Sequence, residues 1–342
     1  MSSKELLTQS YHFTLPSQLI ANFPASPRDS AKLLVYNRSE DTITHTTFKE
    51  FEHFIPQETA LIFNDTKVIK ARLFGQKNTG GKVELLLNRP IDAYNVNVYI
   101  RGKVKEDTEL FFDQKLSAIV RSLQEDGSRI VNFFQEATQL RFEELLPIID
   151  TIGHIPLPPY IQREDNQEDA QEYQSVFAKH EGAVAAPTAS LHFTPAQHER
   201  VCKNFKHAYI TLHVGSGTFK PVEATTITDH PMHSEYYALS PEAKEILDSD
   251  QKVLCVGTTA TRTVEYYARH PKQAQGEANL FLHPQNKPIR TDYLLTNFHL
   301  PQSTLLMLVA SFVGLEQTLK LYNEAIEKQY RFYSYGDAML IL

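Results

Sequence analysis

The chain has 342 residues, 42% hydrophobic and 22% charged, the balance of an ordinary soluble globule with room for about two domains. Thirteen glycines and 18 prolines are too few for a collagen-like or low-complexity chain. Thirty-four Lys and Arg against 41 Asp and Glu, net −7, argue against coating nucleic acid with bulk positive charge and leave a local basic patch open. Cys202 and Cys255, far apart and without a partner motif, exclude a disulfide framework and a four-cysteine zinc site and suit a reducing compartment. Residues 1–11 lack the apolar stretch of a signal peptide. The most apolar run, 305–315, covers about half of the ~20 residues that span a bilayer. A soluble, cytosolic protein with no membrane contact is expected.

In chain order, residues 32–36, 42–48 and 60–64 are β-branched and aromatic stretches between polar breaks, and they predict strands. Over 70–145 the texture changes: 81–88, 95–101, 109–112, 115–122 and 129–134 read as successive strands. Asp126-Gly127 marks a hairpin. No helical period interrupts this block, which predicts a small antiparallel barrel or sandwich. It carries 12 Lys and Arg against 11 Asp and Glu, and Arg101, Lys103 and Lys105 cluster at one strand end, as a solvated end or a phosphate-contacting patch. The acidic run 163–172 reads as a solvated loop or helix face. Residues 207–214 and 252–256 then predict buried strands, 259–270 a helix, and 294–298 a further extended segment. Ser303 can cap a helix from Thr304 that pauses at Gly314. Leu315, Leu319, Tyr322 and Ile326 recur at helical spacing, with Glu324 and Lys328 as an i,i+4 ion pair. The expected architecture is a mixed-sheet α/β domain built from both chain ends, 1–68 and 148–342, with an inserted β-barrel domain, 69–147.

Several familiar motifs fail. Gly215-Ser216-Gly217 follows a strand, but Lys220 stands where a dinucleotide fingerprint needs its third glycine. There is no phosphate loop and no Gly-x-Ser-x-Gly elbow. His230 and His233 are separated by Pro231, which argues against a shared helical face for a metal. What remains is a set of polar, glycine-marked segments: 63–66, 153–160, 182–194, 211–219, 232–237, 256–262, 295–301 and 333–339. His213, Gly257 and Asn297-Phe298-His299 fall at or just beyond the carboxyl ends of apolar strands, the rim where open α/β sheets bind ligands. Gly257-Thr258-Thr259 also reads as a strand-to-helix turn with a capping threonine.

These segments resemble the S-adenosylmethionine:tRNA ribosyltransferase-isomerase family of queuosine biosynthesis from Tyr11 to the C-terminus, insertion included. Residues 154–160, 183–194, 211–219, 232–235 and 295–301 carry most of the likeness. The chain departs from the family's usual pattern at Ser190, where a glycine is common and a positive φ would strain serine, and in the loops at Gln285 and Arg101-Gly102.

The resemblance implies transfer and isomerisation of the ribosyl moiety of S-adenosylmethionine onto 7-aminomethyl-7-deazaguanine at the wobble position of tRNA, giving epoxyqueuosine with release of adenine and methionine. S-adenosylmethionine is then a co-substrate, with no metal and no true cofactor, and a monomer is expected. Such chemistry needs a base for the carbon beside the sulfonium and an acid or donor for departing adenine. A His near its usual ~6.5 is roughly three-quarters neutral at pH 7 and suits either task. Arg does not give up its proton. The expected acid–base set is His192, His213 and His299, with Glu235 and Asp65 as orienting or ammonium-binding carboxylates. Ala185, Ala186, Gly215 and Gly217 allow close approach of an adenosine, Thr188, Thr258, Thr259 and Asn297 can read its polar edges, Phe298 or Phe193 can stack on it, and Arg262 can meet a carboxylate or phosphate. Lys67, Arg72, Arg101, Lys103 and Lys105 are the expected tRNA contacts. Two rival classes are a metal-dependent nucleobase hydrolase and a non-catalytic RNA-binding protein.

Overall fold

The computed structural model describes residues 3–161, 163–215, 217 and 222–342. Nine strands form the larger sheet. From one edge to the other they are Gln275–Ala278, Glu235–Leu239, His207–Leu212, Ala60–Asn64, Val253–Val256, Tyr293–Asn297, Ala338–Ile341, Lys32–Asn37 and Thr42–Thr47. The four strands His207–Leu212, Ala60–Asn64, Val253–Val256 and Tyr293–Asn297 run parallel to their neighbours in this group. Their carboxyl ends, at Leu212, Asn64, Val256 and Asn297, therefore share one rim. Ala60–Asn64, Val253–Val256 and Ala338–Ile341 are buried along their whole length, which explains why all but the terminal Asn64 are apolar: both faces are covered. The edge strand Thr42–Thr47 is exposed and threonine-rich, as an edge needs to be.

The second sheet closes on itself. Strands Arg129–Gln135, Val96–Arg101, Lys82–Pro90, Arg72–Lys77, Glu109–Phe111 and Leu116–Leu123 pair in that order, and Leu116–Leu123 pairs back onto Arg129–Gln135. The result is a six-stranded antiparallel barrel filled by alternating residues such as Leu73, Leu85, Val98, Ala118 and Val131. The helix Phe142–Ile152 plugs it with Leu145 and Ile149, and Val184 from the larger lobe completes the same apolar cluster.

Helix ends follow local chemistry. Ser303, Ser240 and Thr194 accept backbone N–H bonds from Leu306, Ala243 and Gln197, and prolines follow the last two at the first helical position. No single helix among the described residues is long and apolar enough to cross a membrane. Two local expectations change. Glu324 turns to His45 at 3.2 Å rather than to Lys328. The acidic run is not merely solvated, because Asp169 is fully buried, held by Nη1 and Nη2 of Arg163 at 2.6 and 2.7 Å and by the Tyr335 hydroxyl.

Candidate active site

Two hollows lie at the shared rim. The first, about 290 Å³, is lined by Ala185, Ala186 and Thr188 from one segment and by Thr258 and Thr259 from the start of a helix. Asn297 and His299 close it from the next strand end. Tyr160, Tyr173 and Tyr333 supply aromatic walls. The second, about 1090 Å³, is a groove between the larger lobe and the barrel that holds His213, Gly215, Gly217 and Glu235. Val214 lines the small cavity while its neighbours His213 and Gly215 line the groove, so one backbone segment is the wall between them.

The helix Thr258–Arg269 opens into the small cavity without a side-chain cap. The expected capping threonine is absent because Gly257, at φ 96°, occupies the cap position, a backbone shape that a side chain would strain. Thr259 Oγ1 is engaged instead by Asn64 Nδ2 at 3.1 Å. The first N–H groups of the helix are thus left for a polar ligand.

The three candidate histidines separate. His299 lines the small cavity with Thr296 Oγ1 2.8 Å from its Nε2. His213 lines the groove with Thr66 Oγ1 2.8 Å from its Nδ1. His192 reaches neither hollow: it packs on Phe48, ring centroids 5.0 Å apart, and its Nε2 and the nearby Asn297 Oδ1 are buried without hydrogen-bond partners among the described residues. Burial pushes His192 and His213 down to about 4 and His299 to about 3. All three are therefore neutral at pH 7 but reluctant to accept a proton, a departure from the near-neutral bases expected of unburied imidazoles.

This sets a sign for acid stability. Below pH 6.5 the unfolded chain protonates these rings, whereas the folded chain does not until about pH 4 or 3. Stability is complete above that upper value and falls as pH drops through the interval, by about 3 kcal/mol or more for each of His192 and His299. Urea unfolding at pH 7.5, 6 and 5 should show a steady fall before the carboxylates titrate; a flat profile contradicts it.

Glu235 is buried with Arg262, whose Nη1 lies 2.5 Å from Oε2. The Gly215 N–H donates to Oε1 at 3.0 Å, and His233 Nε2 lies 3.5 Å from the same oxygen. Burial opposes ionisation here, yet the guanidinium, His233 and the Gly215 amide prevail and hold the carboxyl below its usual range. Arg262 is thus committed to Glu235 and not offered to a ligand's carboxylate. Asp65 sits behind the rim, accepting from the Thr211 hydroxyl at 2.7 Å. Phe298 and Phe193 do not stack on a ligand. Phe298 is enclosed by Tyr322, Tyr330 and Phe332, and Phe193 by Phe48, Phe51 and Phe63.

The aromatic surface comes instead from Tyr160 and Tyr333, whose ring centroids are 3.7 Å apart. The Tyr160 hydroxyl bonds Ser334, and Tyr333 adopts φ 75° to reach this position. Both lie in polar segments that stood out in the sequence, and that was their only signal. Ser190 sits in the 3-10 turn Thr188–His192 without a positive φ. Ser216, Thr218 and Phe219 of the segment 211–219 lie outside the described residues.

The candidate tRNA contacts divide into two paired cations and three exposed ones. Lys67 pairs with Glu181 at 2.7 Å, and Arg72 with Glu84 at 2.7 Å while stacking on Phe74. Arg101 is exposed and 3.8 Å from Glu84, and Lys103 and Lys105 are exposed on the barrel. Among the described residues, no three His, Cys, Asp or Glu side chains are grouped so as to hold a metal ion.

A family model described as "Queuosine biosynthesis protein" matches residues 8–341. The chain is 69% identical over 342 residues, all of both chains, to the S-adenosylmethionine:tRNA ribosyltransferase-isomerase of Sulfurimonas denitrificans. It is 61% identical to the protein of that name in Nitratiruptor, over 98% of this chain and 99% of that one. A crystal structure of an S-adenosylmethionine tRNA ribosyltransferase from Thermotoga maritima is similar with a TM-score of 0.54 and 33% identity, over 97% of this chain and all of that one.

Proposed function

The chain belongs to the queuosine biosynthesis protein family, and from that premise we propose how its two hollows divide the substrates. Its activity is that of an S-adenosylmethionine:tRNA ribosyltransferase-isomerase. The nucleoside end of S-adenosylmethionine occupies the small cavity, whose ~290 Å³ suits one such group. The adenine lies against Tyr160 and Tyr333, and the uncapped helix start at Thr258 meets the ribose hydroxyls. Ala185 and Ala186 leave room for the close approach.

The 7-aminomethyl-7-deazaguanine of tRNA enters the groove. Its described lining holds Asp126, Glu181, Glu223, Glu235 and Glu277 against Arg89 as the one Lys or Arg. Glu235 and Glu181 are neutralised by Arg262 and Lys67 and Glu277 faces Arg89, so the lining carries a modest excess of acid, which suits an ammonium better than a phosphate. The observation that carries this reading is the shared lining: the consecutive residues His213, Val214 and Gly215 border both hollows, which sets the sugar donor beside its acceptor. His299 in the cavity and His213 in the groove are the hydrogen-bonding and proton-handling groups.

Phosphates fall to the exposed cations of the barrel, Arg101, Lys103 and Lys105. With about three to five contacts, log K for tRNA against log salt should slope at roughly −2 to −4, and salt-independent binding rejects this role. The functional reading is tested by incubating the protein with S-adenosylmethionine and precursor-bearing tRNA, followed by nucleoside mass analysis. Free adenine and an epoxycyclopentane-bearing nucleoside are expected; adenine release without tRNA modification contradicts it.

A further inference from the structure

The His213 ring is fixed on three sides. Gly182, at φ 148°, lies against one part of it so closely that a Cβ there would sit 2.9–3.0 Å from Nδ1, Cε1 and Nε2. Tyr236 stacks alongside with centroids 6.0 Å apart and planes 20° from parallel. Thr66, fully buried, places its hydroxyl 2.8 Å from Nδ1. Nδ1 is thus engaged, no hydrogen-bond partner of Nε2 is found among the described residues, and the residue lines the groove.

The threonine hydroxyl decides where the proton of this neutral ring sits. It has one hydrogen to donate, and no acceptor for it other than His213 Nδ1 is found among the described residues. If Nδ1 carried the proton, the two groups would meet donor to donor or the buried hydroxyl hydrogen would go unpaired, and an unpaired buried donor is costly. We propose that Thr66 is a positioning residue that donates to His213 Nδ1, fixes the Nε2–H tautomer, and so makes His213 a neutral hydrogen-bond donor to an acceptor atom of the substrate in the groove. This deepens the assignment of His213 made above and rests on it for the catalytic consequence, though not for the tautomer. The depressed basicity of the ring agrees, since a ring that resists protonation still donates its N–H.

The test reads the tautomer directly, without substrate, in full-length protein carrying ¹⁵N-labelled histidine at pH 7.5. The His213 signals are assigned by their loss in His213→Gln. Nε2 should appear protonated and Nδ1 bare in wild type and in Thr66→Ser, and a tautomer mixture should appear in Thr66→Val. The His299 ring, partnered by Thr296, is the internal comparison and should not change. In turnover, Thr66→Val should lose roughly ten- to a hundredfold in kcat with KM for S-adenosylmethionine little changed, and Thr66→Ser should recover most of it. An Nδ1–H ring in the wild type, or an unaltered tautomer in folded Thr66→Val, overturns the proposal whatever the activity. Full activity in His213→Gln would instead remove His213 from the reaction, a separate failure.

Discussion

His299→Ala and His213→Ala should each lower the single-turnover rate of ribosyl transfer by about 10²- to 10³-fold, the range lost when a positioned hydrogen-bond donor is removed from a site. His299 lines the cavity and His213 the groove. His192→Ala should behave differently. Its ring touches no hollow and packs on Phe48, so its removal leaves a void and lowers the unfolding free energy by about 2–4 kcal/mol, while the rate of the remaining folded protein falls much less. Unfolding curves run beside the rate measurements separate the cases. Near-wild-type rates in both cavity variants would remove them from the chemistry, and a His192 variant that is stable yet inactive would restore the third ring to it.

Arg262→Met should cost about 3–5 kcal/mol of stability, because it strands a buried Glu235 carboxylate whose main partner is that guanidinium. The loss should also reach the site, since Glu235 Oε1 accepts the Gly215 N–H and so holds the backbone that divides cavity from groove. Pairing the change with Glu235→Gln removes the uncompensated charge and should restore much of the stability without restoring the rate. Urea denaturation of the single and double variants checks this; a loss under about 1 kcal/mol in Arg262→Met means the pair is not the buried strut described.

Much of this architecture was legible because local pattern and burial agreed. Residues 60–64, 252–256 and 294–298 are largely apolar, and they contain strands covered on both faces. Asp126-Gly127 and the alternating strands around it foretold an antiparallel barrel. The position of His213, Gly257 and His299 just past apolar strands foretold the rim. What escaped depended on partners far along the chain. Phe298 looks like a ligand platform in its polar segment, but Tyr322, Tyr330 and Phe332 arrive from later turns to enclose it. Strands Glu235–Leu239 and Ala338–Ile341 were missed because short runs bear no clear period. Asp169 looked solvated until Arg163 and Tyr335 closed on it. The tyrosine pair that walls the cavity joins residues 160 and 333, a meeting no local spacing encodes.

The account stands most directly on a crystal structure of the protein soaked with S-adenosylhomocysteine, which lacks the reactive sulfonium. The adenine should lie between Ala186 and the Tyr160–Tyr333 pair, with its ribose against the helix start at Thr258 and its sulfur toward His213. A ligand bound on the barrel, or in the groove with the small cavity empty, would contradict it.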